Sequence, residues 1–160
     1  MLPSQQGDKI DFSEFDYRFA KLILKECYPE ITADVIDIIK SLNIPLGRGH
    51  RPTPSTVLQR LFPEKGWNIE RPVGGTNLNF DCAKDKVAME IETTDPADLV
   101  NDLLKFQIAD LWNEIDVGIL VVYDDSVKGD NIPHVRDVKN KLDTFSAIIR
   151  VPVWAIGLKQ

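Results

Sequence analysis

The chain has 160 residues, 43% of them hydrophobic, with a formal net charge of −6 at pH 7. That length and apolar content suit one core, so a single domain over 1–160 is expected, with an N-terminal helical part at 1–62 and a mixed α/β core at 63–160. The acidic balance excludes a uniformly basic nucleic-acid binder, and the two isolated cysteines, Cys27 and Cys82, exclude a disulfide framework and a zinc site. With no charged-then-apolar leader and no apolar run able to cross a bilayer, a soluble cytoplasmic protein is the expectation.

Residues 1–9 are polar and read as a frayed end. Phe12, Phe15, Phe19, Leu22, Ile23 and Cys27 then recur at helical spacing, which predicts one amphipathic helix ending at Pro29. A second helix is expected from Thr32 as N-cap, with Val35, Ile36, Ile38, Ile39 and Leu42 on its apolar face. The stretch LGRGHRPTP has the composition of an exposed loop. It lies in a segment, Lys40 to Arg71, where six basic residues face two acids, so Arg48, His50 and Arg51 are candidates for phosphate contact against a solvated connector. Thr53 as cap and Pro54 in the first turn predict a short helix to Phe62.

Trp67 to Val73 reads as a strand and Gly74-Gly75-Thr76 as a turn. Leu78 to Glu92, LNFDCAKDKVAMEIE, reads as a hairpin turning at Asp85-Lys86. Leu78, Phe80 and Cys82 alternate with Asn79, Asp81 and Ala83, and Val87, Met89 and Ile91 alternate with Ala88, Glu90 and Glu92. Asp81 is then expected opposite Glu90, with Glu92 on the same face. Like charges so placed destabilise one another, and a hard divalent cation with oxygen ligands would offset them.

Next, Asp95 as N-cap and Pro96 in the first turn open a long helix through Trp112, whose apolar residues cover more of its circumference than one core face needs. The surplus points to a second packing surface and self-association. Ile115 to Tyr123 reads as a strand buried on both faces, Pro133 to Ile149 as an amphipathic helix and Val151 to Leu158 as the last strand. The expected core is a mixed sheet flanked by helices, in the order strand, strand, helix, strand, helix, strand from the hairpin onward.

An acid on one hairpin strand, an acid-x-acid pair on the next, then helix, strand, helix and strand, resembles the PD-(D/E)xK nuclease superfamily. Asp81 followed by Glu90, Ile91 and Glu92 is similar to the metal site of the BglII and BamHI type of restriction endonuclease. Pro63 to Trp67, Gly75-Thr76, the IDVGI strand and the closing Gly157-Leu158 resemble BglII-type elements, over about residues 60–158. Phe80 stands where the superfamily motif places proline.

The resemblance implies a Mg²⁺-dependent DNA endonuclease, Mn²⁺ substituting, that acts on double-stranded DNA as a homodimer, with a cognate methyltransferase as a further partner. Asp81 and Glu90 would hold the metal and the scissile phosphate. Glu92 would be a further ligand or the base that orients the attacking water. Lys84 and Lys86 in the hairpin turn are candidates for DNA contact, and Asn68 and Glu70 for extra groups at the site. Lys105 and Gln107, on the following helix, are expected on its solvated face, although a lysine there could also serve the site. Asp110, Glu114 and Asp116 are read as structural, and His50 and His134 lack a partner at ligand spacing. A junction-resolving or repair nuclease is the alternative within the superfamily. A binding module with no metal at the hairpin is the alternative outside it.

Overall fold

A computed structural model describes residues 9–160; the expected frayed end, apart from its last residue, lies outside the described residues. The chain forms a six-stranded sheet with helices on both faces. In chain order the elements are β1 (Asp11–Tyr17), α1 (Ala20–Cys27), α2 (Pro29–Ser41), α3 (Pro54–Leu61), β2 (Asn68–Pro72), β3 (Asn79–Lys84), β4 (Val87–Ile91), α4 (Leu99–Leu111), β5 (Val117–Tyr123), α5 (Val135–Thr144) and β6 (Val153–Lys159). The spatial strand order is β1-β6-β5-β4-β3-β2. Strands β4, β5 and β6 run parallel, joined by the crossovers that carry α4 and α5, while β2, β3 and β4 form an antiparallel meander.

Each face of the sheet buries its own apolar layer. Helices α1, α2 and α3 pack with Cys82, Val87, Met89, Ile91, Ile119 and Trp154. On the other face α4 and α5 pack with Phe80, Ala83, Ala88, Leu120, Val122 and Ala155. All seven residues of β5 are buried, as expected of a strand covered on both sides.

One expectation is overturned at the start. The segment expected to begin the first helix is the edge strand β1, antiparallel to β6 with Phe12 opposite Leu158 and Phe15 opposite Ala155. The sequence DFSEFDY carries both a three-residue and a two-residue apolar rhythm, and sheet pairing selects the second: Phe12 packs on one core layer, Phe15 and Tyr17 on the other. The left-handed pair Arg18 and Phe19, φ +55° and +60°, turns the chain into α1. Pro29 opens α2 instead of ending its predecessor, since a proline in the first helical position forfeits no hydrogen bond. Thr32 is therefore inside the helix, its hydroxyl donating to the Tyr28 carbonyl, and does not cap it.

The remaining elements follow the expected order. Thr53 Oγ1 accepts from the Thr56 amide ahead of Pro54, and Asp95 Oδ1 accepts from Ala97 before a 3-10 turn, Pro96–Asp98, leads into α4. The hairpin turns at Asp85-Lys86, with Lys84 opposite Val87 and Asp85 at φ +52°, a conformation aspartate tolerates.

Candidate active site

The β3–β4 ladder ends one step short of the acids. Its last pair is Cys82 with Met89, and at Asp81 the strands part. There the Asp81 carboxylate takes the place of a backbone acceptor: Oδ2 accepts from the Ile91 amide at 2.7 Å and Oδ1 accepts from Gln59 Nε2 at 3.0 Å. The expected alternation of β3 is broken at this fork, for Phe80 and Cys82, predicted on one face, belong to opposite core layers. Strand β4 meanwhile stays paired with β5 through Ile91 and Val121. It therefore holds Glu90 and Glu92 on the side of the sheet covered by α4, in alternation with Met89 and Ile91 on the other.

Asp81, Glu90 and Glu92 line one open cleft of 590 Å³, together with Leu78, Asp98, Asn101, Asp102 and Lys105. Each acid has its own tether. Glu90 is buried, 3% exposed, and its Oε1 lies 2.6 Å from Lys105 Nζ. Lys105 also contacts Asp102 Oδ1 at 3.2 Å and donates to the Asn79 carbonyl at 3.3 Å. Glu92 Oε1 accepts from the amides of Thr94 and Asp95 at 2.9 and 3.0 Å, which fixes the turn before α4. So held, the acids share a cleft without forming a cage: among the described residues no three His, Cys, Asp or Glu side chains are grouped closely enough to hold an ion.

Charge in the cleft is unbalanced. Burial pushes the Glu90 carboxyl up to about 9, reinforced by Asp102 and Asp81 and opposed by Lys105. Burial likewise pushes Asp102 up to about 7, with Lys105 opposing. Glu92 is raised by burial against the pull of its two amide bonds. For Lys105, burial favours the neutral amine, but Glu90 and Asp102 outweigh it and the net shift is upward. The two partners of the Glu90–Lys105 contact thus point to different charge states. The ammonium is the more secure, because one cation faces two buried carboxylates and the surplus proton resides on the acids. Although Lys105 is near, Glu90 Oε1 is without an aligned hydrogen bond. A buried carboxylate whose Oε1 meets a cation and makes no other polar contact, in an acid-rich cleft, fits a hard cation with oxygen ligands, with Asp81 and Glu90 as the groups that would hold it.

The other candidates lie elsewhere. Asn68 and Glu70 are exposed on the edge strand β2, do not line the cleft, and Glu70 adopts φ +51°. Lys84 and Lys86 sit at the turn end of the hairpin, about 10–13 Å from Asp81 and Glu90 at strand rise. There Lys84 donates to the Lys65 carbonyl and faces Asp34, while Lys86 donates to Asn113 and faces Asp116. Arg48, His50 and Arg51 are exposed in the loop between α2 and α3. That loop packs at the end of β5, where Gly47 and Thr93 meet the Tyr123 hydroxyl.

Two expectations for α4 are corrected. Lys105 is withdrawn from solvent into the cleft, its side chain 16% exposed, because Glu90 and Asp102 draw it in. Gln107 is buried and accepts from the amides of Arg150 and Val151, so it braces the entry to β6. Sequence reasoning missed Gln59 and Asp102. Gln59 left no signal; Asp102 and Lys105 left one, as a charged i,i+3 pair set among Leu99, Leu103 and Phe106 on α4. Asp116 accepts from the Tyr28 hydroxyl and Glu114 from the Gly74 amide at 3.1 Å, both structural roles. His134 caps α5 and contacts the Val127 carbonyl at 2.8 Å.

Residues 12–158 match the family model of restriction endonuclease BglII/BglIII. The chain belongs to this family of restriction endonucleases. A crystal structure of restriction endonuclease BglII complexed with a DNA 16-mer aligns with a TM-score of 0.76 at 15% identity, over 93% of this chain and 75% of that one. Free BglII aligns with a TM-score of 0.69 at 16% identity, over 95% and 80%. No curated protein matches the sequence. The fold and the family expected from the hairpin are thus borne out, including membership of the enzyme class. Among the described residues no helix is long and apolar enough to cross a membrane.

Proposed function

We propose that the protein is a Mg²⁺-dependent endonuclease that hydrolyses phosphodiester bonds in double-stranded DNA, with Asp81 and Glu90 as metal ligands and Glu92 as a third ligand or water-orienting base. The observation that carries this reading is the convergence of Asp81, Glu90 and Glu92 on one cleft, with Glu90 buried and its Oε1 facing a cation, Lys105, at 2.6 Å. The family match and the likeness to a BglII–DNA complex support DNA as the substrate.

When bound, a divalent ion supplies charge neutralisation at the phosphate and a lowered pKa for the attacking water, with Mn²⁺ able to substitute. The protein's part is positioning. The Ile91 amide and Gln59 fix Asp81 in the fork, and β4, paired with β5, fixes Glu90 beside it. Glu92, held by two amides, would orient water at the cleft's edge. Arg48, His50 and Arg51 are exposed basic or titratable groups suited to neighbouring phosphates, and they carry no sequence information by themselves. Lys84 and Lys86, engaged with Lys65, Asp34, Asn113 and Asp116, would meet DNA at the turn end of the hairpin, outside the cleft.

Exposed apolar surface at the C-terminal end of α4, with Leu111 76% and Trp112 66% exposed, supports a homodimer that would bring two clefts to two strands. A cytoplasmic restriction enzyme of this kind would be accompanied by a methyltransferase protecting host DNA. Incubation with supercoiled plasmid in Mg²⁺, in Mn²⁺ and in EDTA tests the reading. Cleavage in both metals and none in EDTA is expected; cleavage undiminished by EDTA, or none under any condition, would overturn it.

A further inference from the structure

Lys105 is the one cation lining the acid cleft among the described residues, and its surroundings set it apart from a surface lysine. Its side chain is 16% exposed, its ammonium lies 2.6 Å from Glu90 Oε1 and 3.2 Å from Asp102 Oδ1, and it also reaches the Asn79 carbonyl. It springs from α4, which Phe106 locks against the sheet by stacking on Phe80 at 5.8 Å between ring centroids. The stem is thus held while the four-carbon side chain can re-aim its end. Glu92 occupies the strand position next but one to Glu90, so β4 itself presents no cation to the cleft.

From this geometry we propose that Lys105 is a catalytic residue of the cleft. It stands in for a cation between Glu90 and Asp102 when no divalent ion is present, and donates to a non-bridging oxygen of the scissile phosphate when DNA is bound. This deepens the nuclease reading and rests on it. Lys105 makes and breaks no covalent bond; its ammonium stabilises negative charge that grows on the phosphate oxygens.

A structural salt bridge and a resident cation predict opposite signs for metal affinity. If Lys105 only braces Glu90, removing it loosens a ligand and weakens metal binding. If it occupies the cation's place, removing it vacates that place and takes away a positive charge that repels the incoming ion, and metal binding tightens.

The test is titration of Mg²⁺ into DNA-free protein, followed by calorimetry, for the wild type, Lys105→Met, Lys105→Gln, Lys105→Arg and Glu90→Gln. Single-turnover plasmid cleavage at saturating Mg²⁺ is measured in parallel. Lys105→Met, and Lys105→Gln should Met not fold, is expected to bind Mg²⁺ roughly tenfold more tightly and to cleave at least roughly tenfold more slowly. Lys105→Arg, which keeps the charge, is expected to stay near the wild type in affinity and recover part of the rate. Unchanged or weaker Mg²⁺ affinity in both neutral variants, or an unchanged cleavage rate, would overturn the proposal. If Glu90→Gln binds Mg²⁺ as tightly as the wild type, the metal reading of the hairpin fails, and this proposal with it. Loss of binding in Glu90→Gln beside unchanged affinity in Lys105→Met overturns the role of Lys105 alone.

Discussion

Gln59 Nε2 donates to Asp81 Oδ1 at 3.0 Å, a bond from α3 to the strand fork that ties the N-terminal helices to the cleft. Because the acceptor is a carboxylate, the bond is worth about 1.5–3 kcal/mol where it is shielded and less where water reaches it. Gln59→Ala should lower single-turnover cleavage roughly tenfold, since a carboxylate freed at one oxygen samples orientations that cannot serve the cleft. Its thermal midpoint should fall only slightly. A rate equal to the parent would show that Asp81 needs no help from α3.

The same fork gives the metal-free protein a distinctive pH profile. Glu90 is raised to about 9 and Asp102 to about 7 in the folded state, both chiefly by burial. In the unfolded chain these acids lose their protons near pH 4, so above that the folded state retains more protons. Stability in EDTA is therefore fullest below about pH 4 with respect to these groups and declines from there toward pH 9, by on the order of a few kcal/mol. Urea midpoints across that range measure it. Mg²⁺ should flatten the decline by stabilising the ionised carboxylates, and a metal-free profile that rises with pH would contradict the charge state described for the cleft.

Gly118 connects α4 to the sheet. A Cβ there would stand 2.6 Å from the Phe106 ring, the residue next to Lys105 on α4. Gly118→Ala should cost about 1–3 kcal/mol by overpacking. It should also slow cleavage, because shifting Phe106 displaces Lys105 and Asp102. Chemical denaturation and cleavage assays on one preparation check both, and a variant as stable as the parent would show that α4 yields at no cost.

Arg48→Ala with Arg51→Ala should weaken binding to any DNA sequence in Ca²⁺ or EDTA and reduce the slope of log affinity against log salt by roughly one to two. Cleavage at saturating DNA should be largely retained. Fluorescence anisotropy at several salt concentrations measures the slope; an unchanged slope would remove the loop from the DNA contact surface.

How much of this was legible in the sequence depends on the range of the interactions. The hairpin, β5, α4, α5 and β6 are dictated locally by turn chemistry, capping by Asp95 and near-continuous apolar runs, and the structure places them as read. The start of the chain was misread because Phe12, Phe15 and Phe19 satisfy a helical spacing, while the strand's two-residue rhythm shows only in Phe15 and Tyr17. Only the partner β6, some 140 residues away, decides between them. That Asp81, Glu90 and Glu92 line one cleft was legible from the hairpin, although the expected pairing of Asp81 with Glu90 is replaced by the fork. The departure of Phe80 and Cys82 to opposite layers was not, since it follows from the strands parting at Asp81. Lys105 was read as solvated because helical spacing locates a face but not what opposes it; here Glu90 does.

Plasmid cleavage by Glu90→Ala, shown to be folded by circular dichroism, against the wild type in Mg²⁺ and in EDTA, tests most directly whether the β3–β4 hairpin carries the metal-dependent chemistry. The wild type should cut in Mg²⁺ alone, and Glu90→Ala should lose at least about a thousandfold in rate, on the order of 4 kcal/mol in the barrier, while still binding DNA. Cleavage by Glu90→Ala at the parent's rate with the parent's Mg²⁺ requirement would contradict the account.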